Sequence, residues 1–123
     1  MLEMTKTQAV YANRLLGDGE WTYETAFKAI QERSVAGFGG LNKGWGFALT
    51  AWNELAEHER MQRNELANII RYAQQELASM DSGYRVDTLW IDGSRKRLVE
   101  HTAKVEDLCR QLNAYVAILT EQA

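Results

Sequence analysis

The chain has 123 residues, a size typical of one folded domain, and its charges nearly cancel, with a net charge of −3. Because a general nucleic-acid binder carries a basic excess, this balance argues against that class. The single cysteine, Cys109, excludes an intramolecular disulfide and is typical of a reducing compartment. No apolar run reaches the length of a membrane span, so we expect a cytoplasmic protein without a membrane partner.

The first two predicted helices are short. Thr5 and Gln8 have the spacing of a capping box, so a helix begins after Thr5, runs to Leu16 and ends at Gly17. Residues 17–19 form a predicted loop. A second helix begins at Thr22 and ends at Gly37. Its predicted apolar face consists of Tyr23, Ala26, Phe27 and Ile30.

Residues 37–46, with the sequence GFGGLNKGWG, are predicted to connect two helices as a flexible loop. The segment lacks the Gly-Lys-Ser/Thr ending of a phosphate-binding loop, and no strand precedes it. Large aromatic side chains commonly anchor protein interfaces. We therefore predict that this loop presents Phe38, Lys43 and Trp45 to a protein partner.

A long third helix is predicted over residues 45–80. Its apolar residues recur at helical spacing in two groups, first Phe47, Ala48, Ala51, Trp52 and Leu55, then Leu66, Ile69, Ile70, Ala73, Leu77 and Met80. Between the groups, Met61 is the only large apolar residue. Because no glycine or proline interrupts this stretch, we predict one continuous helix.

The last predicted helix, residues 94–121, carries a seven-residue apolar repeat. One column holds Leu98, Val105, Leu112 and Leu119, and the facing column holds His101, Leu108 and Tyr115. Such a seam needs a covering helix, either from the same chain or from a second copy in a homodimer. Upstream, residues 84–91 alternate like a strand, but no partner strand follows, so we expect an extended connector.

These elements predict an all-α fold: an elongated bundle of about four helices, forming a single domain over residues 1–123. The long third and fourth helices would pair antiparallel within it. No residue pattern assigns the chain to a known family.

No constellation of residues predicts catalysis, a cofactor or a metal. His58 shares a helix face only with Glu54, and two ligands do not hold a metal. His101 lies in the seam, where a buried polar residue can fix the helix register. Cys109 lies beside the seam with no histidine close in the sequence, so we predict a packing role for it. We expect a protein that is not an enzyme.

Two functional hypotheses remain. The favoured one is a non-enzymatic protein-binding module, an inhibitor or adaptor of the type common in phages and toxin–immunity pairs, acting through a helical surface and the glycine/tryptophan loop. The alternative is a helical subunit of a nucleoprotein complex, in which Arg95, Lys96 and Arg97 contact phosphates. Cations are disfavoured at a helix start unless an anion binds there, although Asp87 and Asp92 could also neutralise this run.

Overall fold

The computed structural model describes residues 3–36, 40–82 and 89–120, and all regular secondary structure in these ranges is α-helical. The four helices are α1 (Lys6–Leu16), α2 (Tyr23–Ala36), α3 (Gly40–Ser82) and α4 (Leu89–Thr120). α3 and α4 pack closely against each other. The predicted all-α bundle of four helices with a long helix pair is therefore confirmed for these residues. None of these helices combines the length and apolarity that crossing a membrane requires.

Two compact units divide these helices between them. Unit 1 comprises Met1–Glu57 and Glu106–Ala123, and unit 2 comprises His58–Val105. The division falls within α3 and within α4, so each long helix contributes one segment to each unit. α3 is nevertheless one helix of 43 residues, which confirms the prediction that it is continuous.

α1 begins and ends where the sequence predicts. The Thr5 hydroxyl accepts from the Gln8 amide at 3.1 Å, and Gln8 Oε1 accepts from the Thr5 amide at 3.2 Å, which completes the capping box. At the other end, the Gly17 amide donates to the Asn13 carbonyl at 2.9 Å. Gly17 has a φ of 97°, a value that glycine adopts without the strain a side chain would cause.

The core of unit 1 is organised around two fully buried residues, Gln8 and Trp52. Trp52 Nε1 donates to the Gln8 carbonyl, and Gln8 Nε2 donates to the Trp52 carbonyl, each at 3.0 Å. These reciprocal bonds satisfy both buried side chains and fix α1 against α3. The apolar side chains buried in the same unit are Tyr11, Ala12, Leu15, Ala26, Ile30, Ala48, Ala51, Leu55, Ala56, Leu108, Leu112 and Leu119.

The seam of α4 is buried along only part of its length. Leu108, Leu112 and Leu119, all in unit 1, are buried, which confirms that part of the predicted seam. Leu98 and Val105, in unit 2, are only half-buried. Among the described side chains of unit 2, Ile91 is the one buried apolar residue. The described side chains of unit 2 therefore form almost no buried apolar core.

The predicted glycine-rich loop is wrong from Gly40 onward, because α3 begins there and includes Lys43, Trp45 and the neighbouring glycines. A physical reason lies in Gly44. A Cβ atom at this position would lie 2.9 Å from Leu119 Cδ2, so the absent side chain lets α3 and α4 approach closely. The favourable packing of Leu119 offsets the low helix propensity of glycine. Residues 37–39, which include Phe38, lie outside the described residues.

α4 begins at Leu89, five residues before the predicted start. The prediction of an extended connector is therefore wrong for residues 89–91, which are helical. Residues 84–88 lie outside the described part of the chain. Burial of Ile91 and Ser94 gives this additional turn a packed side, and Asp92 places a favourable negative charge in the first turn. The basic run at residues 95–97 consequently lies beyond the first helical turn rather than at the helix start.

Two glycines of α3 provide a matched test of close helix packing. A Cβ atom at Gly46 would meet no other part of the protein within 4 Å, so Gly46→Ala should stabilise the protein by about 0.5–1 kcal/mol through helix propensity. Gly44→Ala should gain less or destabilise, because its Cβ would press on Leu119. Urea unfolding of both variants measures these changes in stability. Equal gains in stability for the two variants would contradict the close approach of α3 and α4 at Gly44.

The reciprocal bond between α1 and α3 can be tested at Gln8. Gln8→Met keeps the side-chain length but removes the bonds to the Thr5 amide and the Trp52 carbonyl. Leaving buried polar groups unpaired should lower the free energy of unfolding by about 2 kcal/mol. Gln31→Met, at an exposed position of α2, is the control and should change it little. Similar unfolding midpoints in urea for the two variants would contradict this role of Gln8.

Candidate protein-binding surface

Three polar contacts join α3 to α4 within unit 2. The two histidine Nδ1 atoms lie 3.0 Å apart, a glutamine amide donates to a threonine hydroxyl at 3.0 Å, and an arginine Nε donates to a glutamate oxygen at 2.9 Å. We call this set the polar ladder; its pairs are His58 with His101, Gln62 with Thr102, and Glu65 with Arg97. Along α3 the three pairs follow one another at about one helical turn, and their partners on α4 lie within residues 97–102, so the pairs fix the register of the two helices.

The third pair of the polar ladder is charged. Arg97 Nε bonds to Glu65, and Arg97 Nη2 donates to the hydroxyl of the fully buried Ser94 at 3.3 Å. The Glu65 side chain is only 13% exposed. The hydrogen bond from Arg97 lowers the pKa of Glu65 below its ordinary value, although burial opposes this shift. Unit 2 thus contains a largely buried carboxylate in an ion pair, whereas unit 1 contains a core of buried apolar side chains.

An exposed row of large apolar side chains lies on the α3 segment of unit 2. Leu66, Ile70 and Leu77 are 48%, 58% and 65% exposed. Their spacings of four and seven residues place them on one face of the helix. We call these three side chains the apolar row. No element among the described residues of unit 2 covers it.

The apolar row is part of the sequence pattern, but its exposure is not predicted by that pattern. Periodicity predicts that the second apolar group of α3 forms one packed face. Ile69 and Ala73 of that group are half-buried, whereas Leu66, Ile70 and Leu77 are exposed. The Met80 side chain lies outside the described positions. A single paired helix can cover only one side of such a wide apolar stripe.

The predicted contact residues lie on α3 rather than on a loop. Lys43 is exposed, and Trp45 is half-buried with the Arg33 guanidinium 5.0 Å from its ring centroid. This cation–π contact occupies one face of the indole. The Trp45 ring therefore already packs within unit 1.

Phe47 is an exposed aromatic residue whose environment the sequence pattern predicts wrongly. The pattern places it on the packed face with Ala48 and Trp52, yet it is 59% exposed. Five residues of helix separate it from Trp52, which turns it by roughly 140° away from the buried indole. A helical wheel centred on Trp52 would have placed Phe47 beside the exposed Lys43, one turn earlier.

The basic run on α4 does not present three equivalent cations. Arg95 and Lys96 are exposed, whereas Arg97 bonds to Glu65 and Ser94. Glu65, which neutralises part of this run, is thus on α3 and distant in sequence. Of the two candidates for that role in the sequence, Asp92 is exposed in the first turn of α4, and Asp87 lies outside the described residues.

The residues weighed for chemistry lie in two places. His58 and His101 meet in the polar ladder, a pairing that sequence spacing does not predict because 43 residues separate them. Half-buried Cys109 lies near Tyr11, whose hydroxyl is 3.2 Å from the Cys109 carbonyl oxygen, and burial raises the pKa of Tyr11. Within the described ranges, no three His, Cys, Asp or Glu side chains could hold a metal ion together.

A cavity of about 450 Å³ opens in unit 1, between the chain preceding α1 and the start of α2. Its lining mixes both charges, with Lys6 opposed by Glu3 and Glu24. The Thr22 amide on its wall already donates to Thr25 at 2.9 Å. The cavity therefore presents no converging set of polar groups to a ligand.

Comparison with known proteins does not assign a function to any of these features. No protein-family model matches the chain, and neither a curated protein nor a solved structure is significantly similar to it. Function is therefore inferred from the geometry and exposure of the residues described above.

The Glu65–Arg97 pair predicts a pH-dependent stability. Because the pKa of Glu65 is lower in the folded protein, the pair stabilises the fold above pH 4.5, the ordinary value, and this contribution is lost as pH falls through the lowered pKa. Glu65→Gln should therefore be less stable than the wild type at pH 7, and the difference should shrink below pH 4.5. Circular dichroism during urea unfolding at several pH values measures this difference.

Glu32→Gln, at an exposed position of α2, is the matched control for that measurement. It should leave the pH dependence of the wild type unchanged. A Glu65→Gln variant whose stability deficit stays constant from pH 7 to pH 3 would contradict the pairing.

Proposed function

We propose that this protein is a non-enzymatic protein-binding module, and that its apolar row binds an amphipathic helix of a partner protein. The observation that carries the proposal is the exposure of Leu66, Ile70 and Leu77 in a unit with Ile91 as its one described buried apolar residue. Apolar surface that a unit leaves uncovered in this way is typical of an interaction site.

The dimensions of the row suit a helical partner. From Leu66 to Leu77 the helix rises by roughly 16 Å, which is about three turns. A partner helix with its own apolar residues at spacings of three and four could pack against the row, with the ridge of one helix in a groove of the other. Covering three side chains that are half to two-thirds exposed would contribute about 1 kcal/mol each.

The size of the row favours a short partner segment over a second copy of this chain. The three side chains expose on the order of 200–300 Å² of apolar surface. A stable dimer typically buries about 800 Å² on each partner. A homodimer through the row would therefore need a further surface, whereas a helical segment of a few turns would match it.

Binding of this kind is how an adaptor or inhibitor acts. By covering the apolar face of a partner helix, the module would either block that helix or hold it beside another component.

Cys109 is the single cysteine and forms no disulfide within the chain. A free thiol of this kind is compatible with the reducing cytoplasm that the composition indicates.

The nucleoprotein hypothesis draws less support from the structure. It requires Arg95, Lys96 and Arg97 to contact phosphates, but Arg97 is bonded to Glu65 and Ser94. With Arg97 paired, the two remaining cations of the run, on a chain of net charge −3, are a weak electrostatic attraction for nucleic acid.

The apolar row predicts a binding defect for Ile70→Asp. A partner is first captured from extracts of the source cells with and without nuclease and identified, and its affinity for purified variants is then measured by calorimetry. Ile70→Asp should raise the Kd at least tenfold, because it removes an isoleucine that the partner helix would cover and forces that helix to desolvate a charge instead. Val35→Asp, at a 76% exposed apolar residue of α2, is the matched control and should leave the Kd within twofold.

Several outcomes would contradict this function. Equal losses of affinity in Ile70→Asp and Val35→Asp, at equal helicity, would remove the special role of the row. A homodimer that Ile70→Asp dissociates would assign the row to a second copy instead. Capture that depends on nucleic acid and disappears in an Arg95→Glu, Lys96→Glu variant would favour the nucleoprotein hypothesis.

A further inference from the structure

The polar ladder shows which sides of α3 and α4 meet in unit 2. Gln62 donates to Thr102 at 3.0 Å, and Glu65, one turn further along α3, bonds to Arg97, which precedes Thr102 by five residues. The two segments therefore run antiparallel. Because five residues of helix correspond to a rotation of roughly 140°, Thr102 and Arg97 mark opposite flanks of the side of α4 that faces α3.

The apolar row continues along the flank of Gln62 and Thr102. Leu66 and Ile70 follow Gln62 by four and eight residues, so they lie on the same strip of α3. Val99 precedes Thr102 by three residues on the facing strip of α4 and is 68% exposed. Antiparallel packing places Leu66 and Val99 at the same level. Both helices thus contribute to one apolar surface, and a third helix lying between them would cover it.

Two exposed arginines lie beside this apolar surface, one on each helix. Arg63 precedes Ile70 by seven residues, or two turns, so both lie on the same face of α3. Arg95 precedes Thr102 by seven residues and therefore lies on the same flank of α4 as Val99. A helix that covers the apolar surface would have one arginine near each of its edges.

A further arginine of α3 adds positive charge nearby. Arg71 is exposed and donates to the uncharged Asn68 and Tyr72 side chains at 3.1 and 3.2 Å, so these bonds leave its charge unneutralised. Glu65, by contrast, is already bonded to Arg97 on the other flank. Charges of one sign that gather around a surface attract a partner of the opposite sign.

Two acidic side chains oppose this charge at the ends of the surface. Asp92 precedes Arg95 by three residues, in the first turn of α4, where the helix dipole favours a negative charge. Glu59 precedes Arg63 by four residues and is half-buried. Both acids lie outside the stretch from Leu66 to Ile70, so the middle of the surface remains flanked by the two arginines.

We infer that the partner helix is acidic, with carboxylates on both edges of its apolar stripe that pair with Arg63 and Arg95. This inference rests on the proposed function and adds the chemistry of the partner. Carboxylates form strong hydrogen bonds with the guanidinium group. A basic helix with the same apolar stripe would bring like charges together at both edges, so the arginines select between the two.

The test uses three hydrocarbon-stapled peptides of about four helical turns that share one leucine stripe. They carry glutamate, glutamine or lysine on both edges of the stripe. Fluorescence anisotropy at low salt measures their Kd for the full chain. The glutamate peptide should bind roughly fivefold more tightly than the lysine peptide, with the glutamine peptide between them. Added salt should shrink this difference, because exposed charges are screened.

Paired charge reversals locate the source of the preference. Arg63→Glu combined with Arg95→Glu should reverse it, so that the lysine peptide binds more tightly than the glutamate peptide. Lys96→Glu combined with Lys104→Glu is the matched control, because it changes the net charge equally at two exposed positions of α4. These lysines are turned from Thr102 by roughly 120° and 160°, away from the apolar surface. The control should keep the preference of the wild type.

The possible outcomes separate this inference from the proposed function. Equal Kd values for the three peptides, with all binding lost in Ile70→Asp, would overturn the acidic partner and leave the proposed function intact. Failure of all three peptides to bind would count against both. Loss of the preference in the lysine control would reduce it to net charge and overturn the inference.

Nucleic acid is the competing ligand for the same arginines. A DNA duplex that binds more tightly than the glutamate peptide, and does so equally well in Ile70→Asp, would assign the arginines to phosphates and overturn the inference. Circular dichroism establishes that each variant keeps the helicity of the wild type. The peptide comparison on the wild-type chain stays decisive even if a variant folds poorly.

Discussion

The reciprocal hydrogen bonds between Gln8 and Trp52 are the constraint on which unit 1 depends. Both side chains are fully buried, and each donates to the backbone carbonyl of the other residue. Gln8 also caps α1 through Thr5, so the start of that helix and its docking on α3 depend on one side chain. The buried apolar residues that α1, α2, α3 and α4 contribute to unit 1 form its core together with the indole. Buried polar groups satisfied in this way specify one arrangement, because any slip leaves them unpaired.

Unit 2 is stabilised differently. Its two helix segments meet through the polar ladder, and a net contribution of about 1 kcal/mol is typical of each such hydrogen bond. A partly exposed ion pair such as Glu65–Arg97 adds little more in water. The polar ladder therefore sets the register of α3 and α4 without supplying the apolar burial that stabilises unit 1. The apolar row of unit 2 is exposed, which is why we infer that a partner helix covers it.

Sequence reasoning predicted the features that depend on local chemistry and missed those decided by distant residues. The capping box at Thr5 and the continuity of α3 follow from neighbouring residues, and both are confirmed. Gly44 lies within α3, where the absence of a side chain leaves room for Leu119. The two residues are 75 positions apart, so no local glycine pattern reveals their contact. The pairing of the two histidines likewise depends on the register of two helices. For the binding surface, periodicity identified the apolar residues of α3 but could not tell which of them a neighbouring helix would leave exposed.

Hydrogen–deuterium exchange on the chain, alone and with its captured partner, tests the central claim most directly. If a partner helix covers the apolar row, amides of the α3 segment around Leu66, Ile70 and Leu77 should gain protection in the complex. Amides of α2, which lies in unit 1, should exchange at the same rate in both states. New protection confined to α2, to the start of α3 near Lys43, or to the basic run on α4, with the row unchanged, would contradict the account.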